Sequence, residues 1–125
     1  MMQQLGESME DYLEAIYVLS QQLESVRSVD VASYLGFSKP SVSHAVKVMS
    51  EKGLVRLDQG KILHLTDEGK EIAQSTYQRH CFFSDMLENI GVNKETAAKD
   101  ACRIEHVISE ESFEAIQNFY NNNKK

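Results

Sequence analysis

The strongest constraint on the fold lies between Ser28 and Leu65, where helix signals stop, restart and then give way to strands. Ser28 can cap a short helix through Leu35, with Val29, Ala32 and Leu35 as its inward side. Gly36 follows, a residue that takes left-handed backbone at no steric cost and so ends helices. Two residues later Ser38 offers a side-chain cap to a second helix. Pro40 falls in that helix's first turn, where its missing N–H breaks no bond. Val42, Ala45, Val46 and Met49 give the second helix an inward face, and Gly53 closes it. Two short helices joined by a tight glycine turn make a helix-turn-helix. The hydrophobic period then shortens. Residues 54–57 and 61–65 are β-prone runs around Asp58-Gln59-Gly60, a hairpin signal. A hairpin directly after a helix-turn-helix is a wing.

With one proline and six glycines in 125 residues, the flanking segments are expected to be long helices. The first begins near Ser8, with Met9, Leu13, Ile16, Tyr17 and Leu23 as its apolar stripe. Thr66 caps a long helix to about Ile90, ended by Gly91. Asn93 caps another from Lys94 to about Ile108, and Ser109 caps a last one. Phe113, Ile116, Phe119 and Tyr120 form the stripe of that last helix, and the polar tail from Asn121 to Lys125 is expected to fray. The expectation is a mainly α chain: a winged helix-turn-helix domain over residues 1–70 and an all-helical domain over 71–125. Tyr77, Phe82, Phe83, Met86 and Leu87 give the long helix more apolar surface than one small core uses, which implies a partner subunit and a homodimer.

Composition narrows the function. Thirteen Lys and Arg against 19 Asp and Glu give a net charge of −6, so the chain does not coat nucleic acid indiscriminately. Yet Gly36–Lys61 holds five cations (Lys39, Lys47, Lys52, Arg56, Lys61) and two anions (Glu51, Asp58). One basic strip in an acidic protein, coinciding with a winged helix-turn-helix, points to DNA. The second helix of that motif enters the major groove, its first residues facing bases and its amides facing phosphate. The DNA-contact candidates are therefore Ser38, Lys39, Pro40, Ser41, Ser43, His44 and Lys47, with Lys61 reaching a phosphate from the wing. The longest apolar run, Ala15–Leu19, is far too short to span a bilayer, and no basic-then-apolar leader opens the chain. Two cysteines make no disulfide framework, so a cytoplasmic protein is expected.

A second constellation lies outside the basic strip. Asp11 and Glu14, three apart on the first helix, share a face. Cys102, Glu105 and His106, at spacings of three and four, share another, and His80 sits on the long helix. One thiolate, three carboxylates and two imidazoles suit a divalent transition ion such as Mn²⁺, Fe²⁺, Co²⁺ or Zn²⁺, and are richer in oxygen than structural zinc sites.

The chain resembles the metal-dependent repressors of the diphtheria toxin repressor family, especially the shorter manganese transport regulator branch. The resemblance covers nearly the whole chain. It rests on Met9 to Tyr17, on Ser38-Lys39-Pro40-Ser41-Val42 within the winged motif, on Leu65-Thr66-Asp67-Glu68-Gly69, on Arg79-His80, and on Ala101 to Ser109. It implies a repressor of metal-uptake genes, activated by Mn²⁺ or Fe²⁺, whose metal ligands are Asp11, Glu14, His80, Cys102, Glu105 and His106. The ligand set is a hybrid. Asp11 matches the manganese branch, whereas Cys102 matches the iron branch and pulls preference toward softer Fe²⁺, Co²⁺ or Zn²⁺. The third, barrel-like domain of the iron branch is expected to be absent. Catalysis is not expected, since no cleft or separate general base can be named. Two rival classes make distinct demands. A metal-independent winged-helix regulator ignores chelation. A thiol redox sensor using Cys81 or Cys102 responds to oxidation and ignores chelators, and Cys81, about 100° around the helix from His80, is expected to pack at the dimer interface.

Overall fold

The computed structural model describes residues 7–123, and the chain divides between Ser75 and Thr76 into two compact units. In order, the elements are α1 (Glu7–Ser20), α2 (Ser28–Leu35), α3 (Lys39–Glu51), β1 (Val55–Leu57), β2 (Leu63–Leu65), α4 (Asp67–Asn89), α5 (Lys94–Val107) and α6 (Glu110–Asn123). The mainly α expectation holds, and the division falls inside α4.

The first unit is a winged helix. Ser38 caps α3, its Oγ accepting from the Ser41 amide at 3.3 Å, with Pro40 in the first turn. Val42, Ala45, Val46 and Met49 are all buried, joining Leu13 and Ile16 of α1 in one core. Truncating a side chain as deeply buried as Met49 to alanine costs about 2–5 kcal/mol. The β1–β2 pairing is antiparallel, with Val55 opposite Leu65 and Leu57 opposite Leu63. The amide of Leu63 also donates to the Val26 carbonyl at 2.8 Å, so the segment before α2 lies along the outer side of β2. Thr66 joins the wing to α4. Its Oγ1 donates to the Gly53 carbonyl at 2.7 Å and accepts from the Gly69 amide at 3.1 Å. Gly69 sits so close to the Leu54 carbonyl that a Cβ there would overlap the oxygen.

Several local expectations need correction. In α2 the inward residues are Val31 and Ala32, with Leu35 half-buried, while Val29 is 47% exposed. The cap of α2 is Arg27, one residue earlier than Ser28, and its amide donates to the Asp30 carboxylate at 2.9 Å. Leu23 lies beyond α1 and is exposed, and Tyr12, Ala15 and Leu19 are buried in its stead.

The second unit is all-helical. Asn93 caps α5 through the amides of Glu95 and Thr96, and Ser109 caps α6 through that of Ser112. Its core is aromatic: Phe83, Phe113 and Ala101 are buried, packed by Phe82, Met86, Ile104, Ile108 and Ile116. Phe82 makes edge-on contacts with Phe83, Phe113 and Tyr120 at ring-centroid distances of 5.2–5.7 Å. Phe119 is 71% exposed and is not part of the inward stripe of α6. The expected fraying tail is helical through Asn123, whose side-chain amide donates to the Phe119 carbonyl. Lys124 and Lys125 lie outside the described residues.

Candidate metal centre and nucleic-acid interface

Arg79 and His80 are successive residues of α4 and divide their work. The Arg79 guanidinium lies over the Phe113 ring, 5.5 Å from its centroid. It donates to the carbonyls of Glu105 at 3.4 Å and Ile108 at 3.1 Å, and to Glu110 Oε1 at 3.2 Å. The last carbonyls of a helix have no partner within it, and Arg79 supplies one to the end of α5. Nothing in the residue pattern pointed to this clamp; its only signal was that Arg79 precedes a candidate ligand.

With α5 held this way, His80 meets Glu105. Its Nδ1 lies 3.1 Å from Glu105 Oε1. Glu105 is 2% exposed, and its other oxygen, Oε2, has no hydrogen-bond partner among the described residues. Burying a carboxylate is costly unless a donor or cation takes each oxygen. One turn of α5 also brings together Cys102, half-buried, and His106, 6% exposed. Their donor atoms lie within 4.8 Å of each other. Cys102 with His106, and His80 with a Glu105 carboxylate whose second oxygen is unpartnered among the described residues, are two donor pairs of the kind that suit a borderline divalent cation. Asp11 and Glu14 belong to the first unit. Both are half-buried on α1, three residues apart.

The DNA-contact candidates of α3 form a continuous exposed surface. Ser38, Lys39, Pro40, Ser41, Ser43, His44 and Lys47 are all exposed, while the residues between them supply the core. Lys61 is exposed at the wing tip and takes a positive φ of 61°, unusual for a residue with a side chain.

The sequence family described as iron-dependent repressor, N-terminal DNA-binding domain, matches residues 4–63. The one described as iron-dependent repressor, metal-binding and dimerisation domain, matches residues 66–125. The chain belongs to the iron-dependent repressor family. Members of this family are metal-responsive transcription regulators, so the chain carries a DNA-binding domain and a domain for metal binding and dimerisation. It is 35% identical over 113 residues to the transcriptional regulator MntR of Escherichia coli, covering 90% of this chain and 73% of that one. It is 32% identical over 122 residues to the iron-dependent repressor IdeR of Mycobacterium bovis, covering 97% of this chain and 53% of that one. The solved structure of the manganese regulator SloR superposes with a TM-score of 0.81 at 31% identity, covering 93% of this chain and 54% of that one. The repressor therefore spans about half the length of its longer relatives. None of its described helices is long and apolar enough to cross a membrane.

Proposed function

We propose that this repressor is activated by divalent-cation binding to the ligand set Asp11, Glu14, His80, Cys102, Glu105 and His106. Its operator contacts are Ser38, Lys39, Pro40, Ser41, Ser43, His44, Lys47 and Lys61. The observation that carries the reading is Glu105, a buried carboxylate with His80 on one oxygen and, among the described residues, no hydrogen bond on the other. The functional division runs 1–70 for operator reading and 71–125 for metal binding and dimerisation.

A bound divalent cation supplies the positive charge that this anionic donor set lacks. Cys102, Glu105 and His106 contribute three donors from α5, and His80 a fourth from α4. Asp11 and Glu14 add two carboxylates from α1, which packs against α2, α3 and β2 in the reading head. In the metal-free protein Asp11 and Glu14 repel Glu105 and, when it is ionised, the Cys102 thiolate, which loosens α1 from the dimerisation helices. Shared ligation ties α1 to α5 and fixes the two heads of a homodimer at one separation, the requirement for reading paired half-sites. Metal and operator then favour each other reciprocally by about 1–3 kcal/mol. The physiological ion is Mn²⁺ or Fe²⁺, with Co²⁺ or Zn²⁺ as further occupants, and the thiol of Cys102 favours the softer members of that set. The controlled genes are those of metal-ion uptake, and the site of action is the cytoplasm.

His106→Ala tests the assignment. The variant is expected to sediment as a folded dimer and to lose metal-dependent operator binding. Metal-stimulated binding equal to wild type in that variant removes His106 from the ligand set. Operator binding that ignores chelators and fails on thiol oxidation supports the redox alternative.

A further inference from the structure

Three consecutive amides at the wing tip converge on one residue. Asp58 Oδ1 accepts from the amide of Gly60 at 2.9 Å and from that of Ile62 at 3.0 Å. The Asp58 carbonyl accepts from the amide of Lys61 at 2.9 Å, and the Asp58 amide returns a bond to the Ile62 carbonyl at 3.1 Å. The second carboxylate oxygen, Oδ2, lies 2.8 Å from His64 Nε2, which anchors the carboxylate to β2. From the other side Arg27 Nε donates to the Gly60 carbonyl at 3.4 Å. Inside this frame sits Lys61, with its φ of 61°. A left-handed conformation at a residue with a side chain persists only where its surroundings over-determine it. An ordinary hairpin places glycine or asparagine at such a position. Here a cation occupies it, on a hairpin whose other exposed cation is Arg56.

We propose that Asp58 is the positioning residue of the wing, holding the tip in the one backbone conformation that presents Lys61 to a DNA phosphate. The proposal rests on the operator contact assigned to Lys61 above. It accounts for a carboxylate within a surface that meets a polyanion: Asp58 spends both oxygens on the tip and on His64. The hydrogen bond from His64, then those from Ile62 and Gly60, hold its carboxyl below the usual range.

The test uses the full chain with saturating Mn²⁺ and a fixed duplex selected from a random pool by the wild-type protein. Affinity is read by fluorescence anisotropy across a salt series. Lys61→Ala is expected to weaken binding about three- to tenfold and to make the log–log salt slope shallower by about 1. Asp58→Ala is expected to lose the same slope increment, and the double variant to bind no more weakly than Lys61→Ala alone. Asp58→Asn keeps an Oδ1 acceptor for both amides and is expected to stay near wild type. If Asp58→Ala keeps the wild-type slope while Lys61→Ala loses it, the positioning role is wrong and the Lys61 contact stands. Tighter binding by both Asp58 variants shows that Asp58 acts only as a repelling charge, and overturns the proposal. A Lys61→Ala protein indistinguishable from wild type overturns the proposal and the contact together.

Discussion

Replacing Glu105 with glutamine separates a metal ligand from a structural ion pair. The glutamine side chain has nearly the same shape and keeps an oxygen for His80, but it carries no charge. In the metal-free protein the wild-type carboxylate is 2% exposed with Oε2 unpartnered, and a buried unsatisfied group costs about 1–3 kcal/mol, more when charged. Part of that cost returns because the new amide also lacks an acceptor. The net expectation is a metal-free variant more stable than wild type by about 1 kcal/mol, or about 3–5 °C in Tm for a chain of this size. With metal the order reverses. At a free Mn²⁺ concentration about 100 times the wild-type Kd, binding adds about 2.7 kcal/mol to wild-type stability. Loss of a charged ligand that weakens affinity about 100-fold leaves only about 0.4 kcal/mol at the same concentration. Paired thermal melts of both proteins, with chelator and with Mn²⁺, read all four values. The reasoning is refuted if Glu105→Gln loses about 3 kcal/mol with chelator and keeps the full metal increment, because breaking a structural buried pair costs about that much.

Three further outcomes follow from local geometry. Gly69→Ala drives a methyl onto the Leu54 carbonyl oxygen and is expected to cost at least about 2 kcal/mol in urea unfolding, since backbone rather than a flexible side chain must move. Lys61→Gly is expected to raise stability by about 1 kcal/mol, by removing the left-handed strain, while weakening operator binding and flattening its salt dependence. The pH response of the wing has a definite sign. Because hydrogen bonds lower the carboxyl pKa of Asp58 in the folded state, its contribution is complete above the ordinary carboxylate range and disappears as pH falls through the lowered folded value. The stability gap between wild type and Asp58→Asn should therefore shrink progressively as pH falls below about 5, measured by urea titration at each pH.

The reading head was legible because its punctuation is local. A cap at Ser38, a proline in the first turn of α3 and Gly36 and Gly53 at the helix ends act over three or four residues, and the structure uses each of them. In α2 the pattern was ambiguous. Val29, Val31, Ala32 and Leu35 fit two neighbouring faces of a two-turn helix, and only packing against α1 and α3 selects Val31 over Val29. The cap at Arg27 was hidden because its amide is satisfied by the side chain of Asp30, not by its own. The chemistry of α5 was visible in the spacing of Cys102, Glu105 and His106. That Glu105 is buried with an unpartnered oxygen was not, since this depends on Arg79 drawing the end of α5 onto α4 across 26 residues of sequence. The role of Asp58 was likewise concealed inside a hairpin signal, because its bonds are fixed by the conformation of the turn.

The most direct test of the account is metal-dependent operator binding at fixed salt. Protein stripped with chelator is titrated onto a selected operator by fluorescence anisotropy, with Mn²⁺, anaerobic Fe²⁺, Co²⁺ and Zn²⁺ in separate runs. A coupling of about 1–3 kcal/mol predicts an affinity gain of about 5- to 150-fold with at least one ion, reversed by chelator, and the ranking of ions reports the influence of Cys102. High affinity that neither metal nor chelator changes would contradict the account, leaving a winged-helix DNA-binding protein whose buried Glu105 serves only the fold.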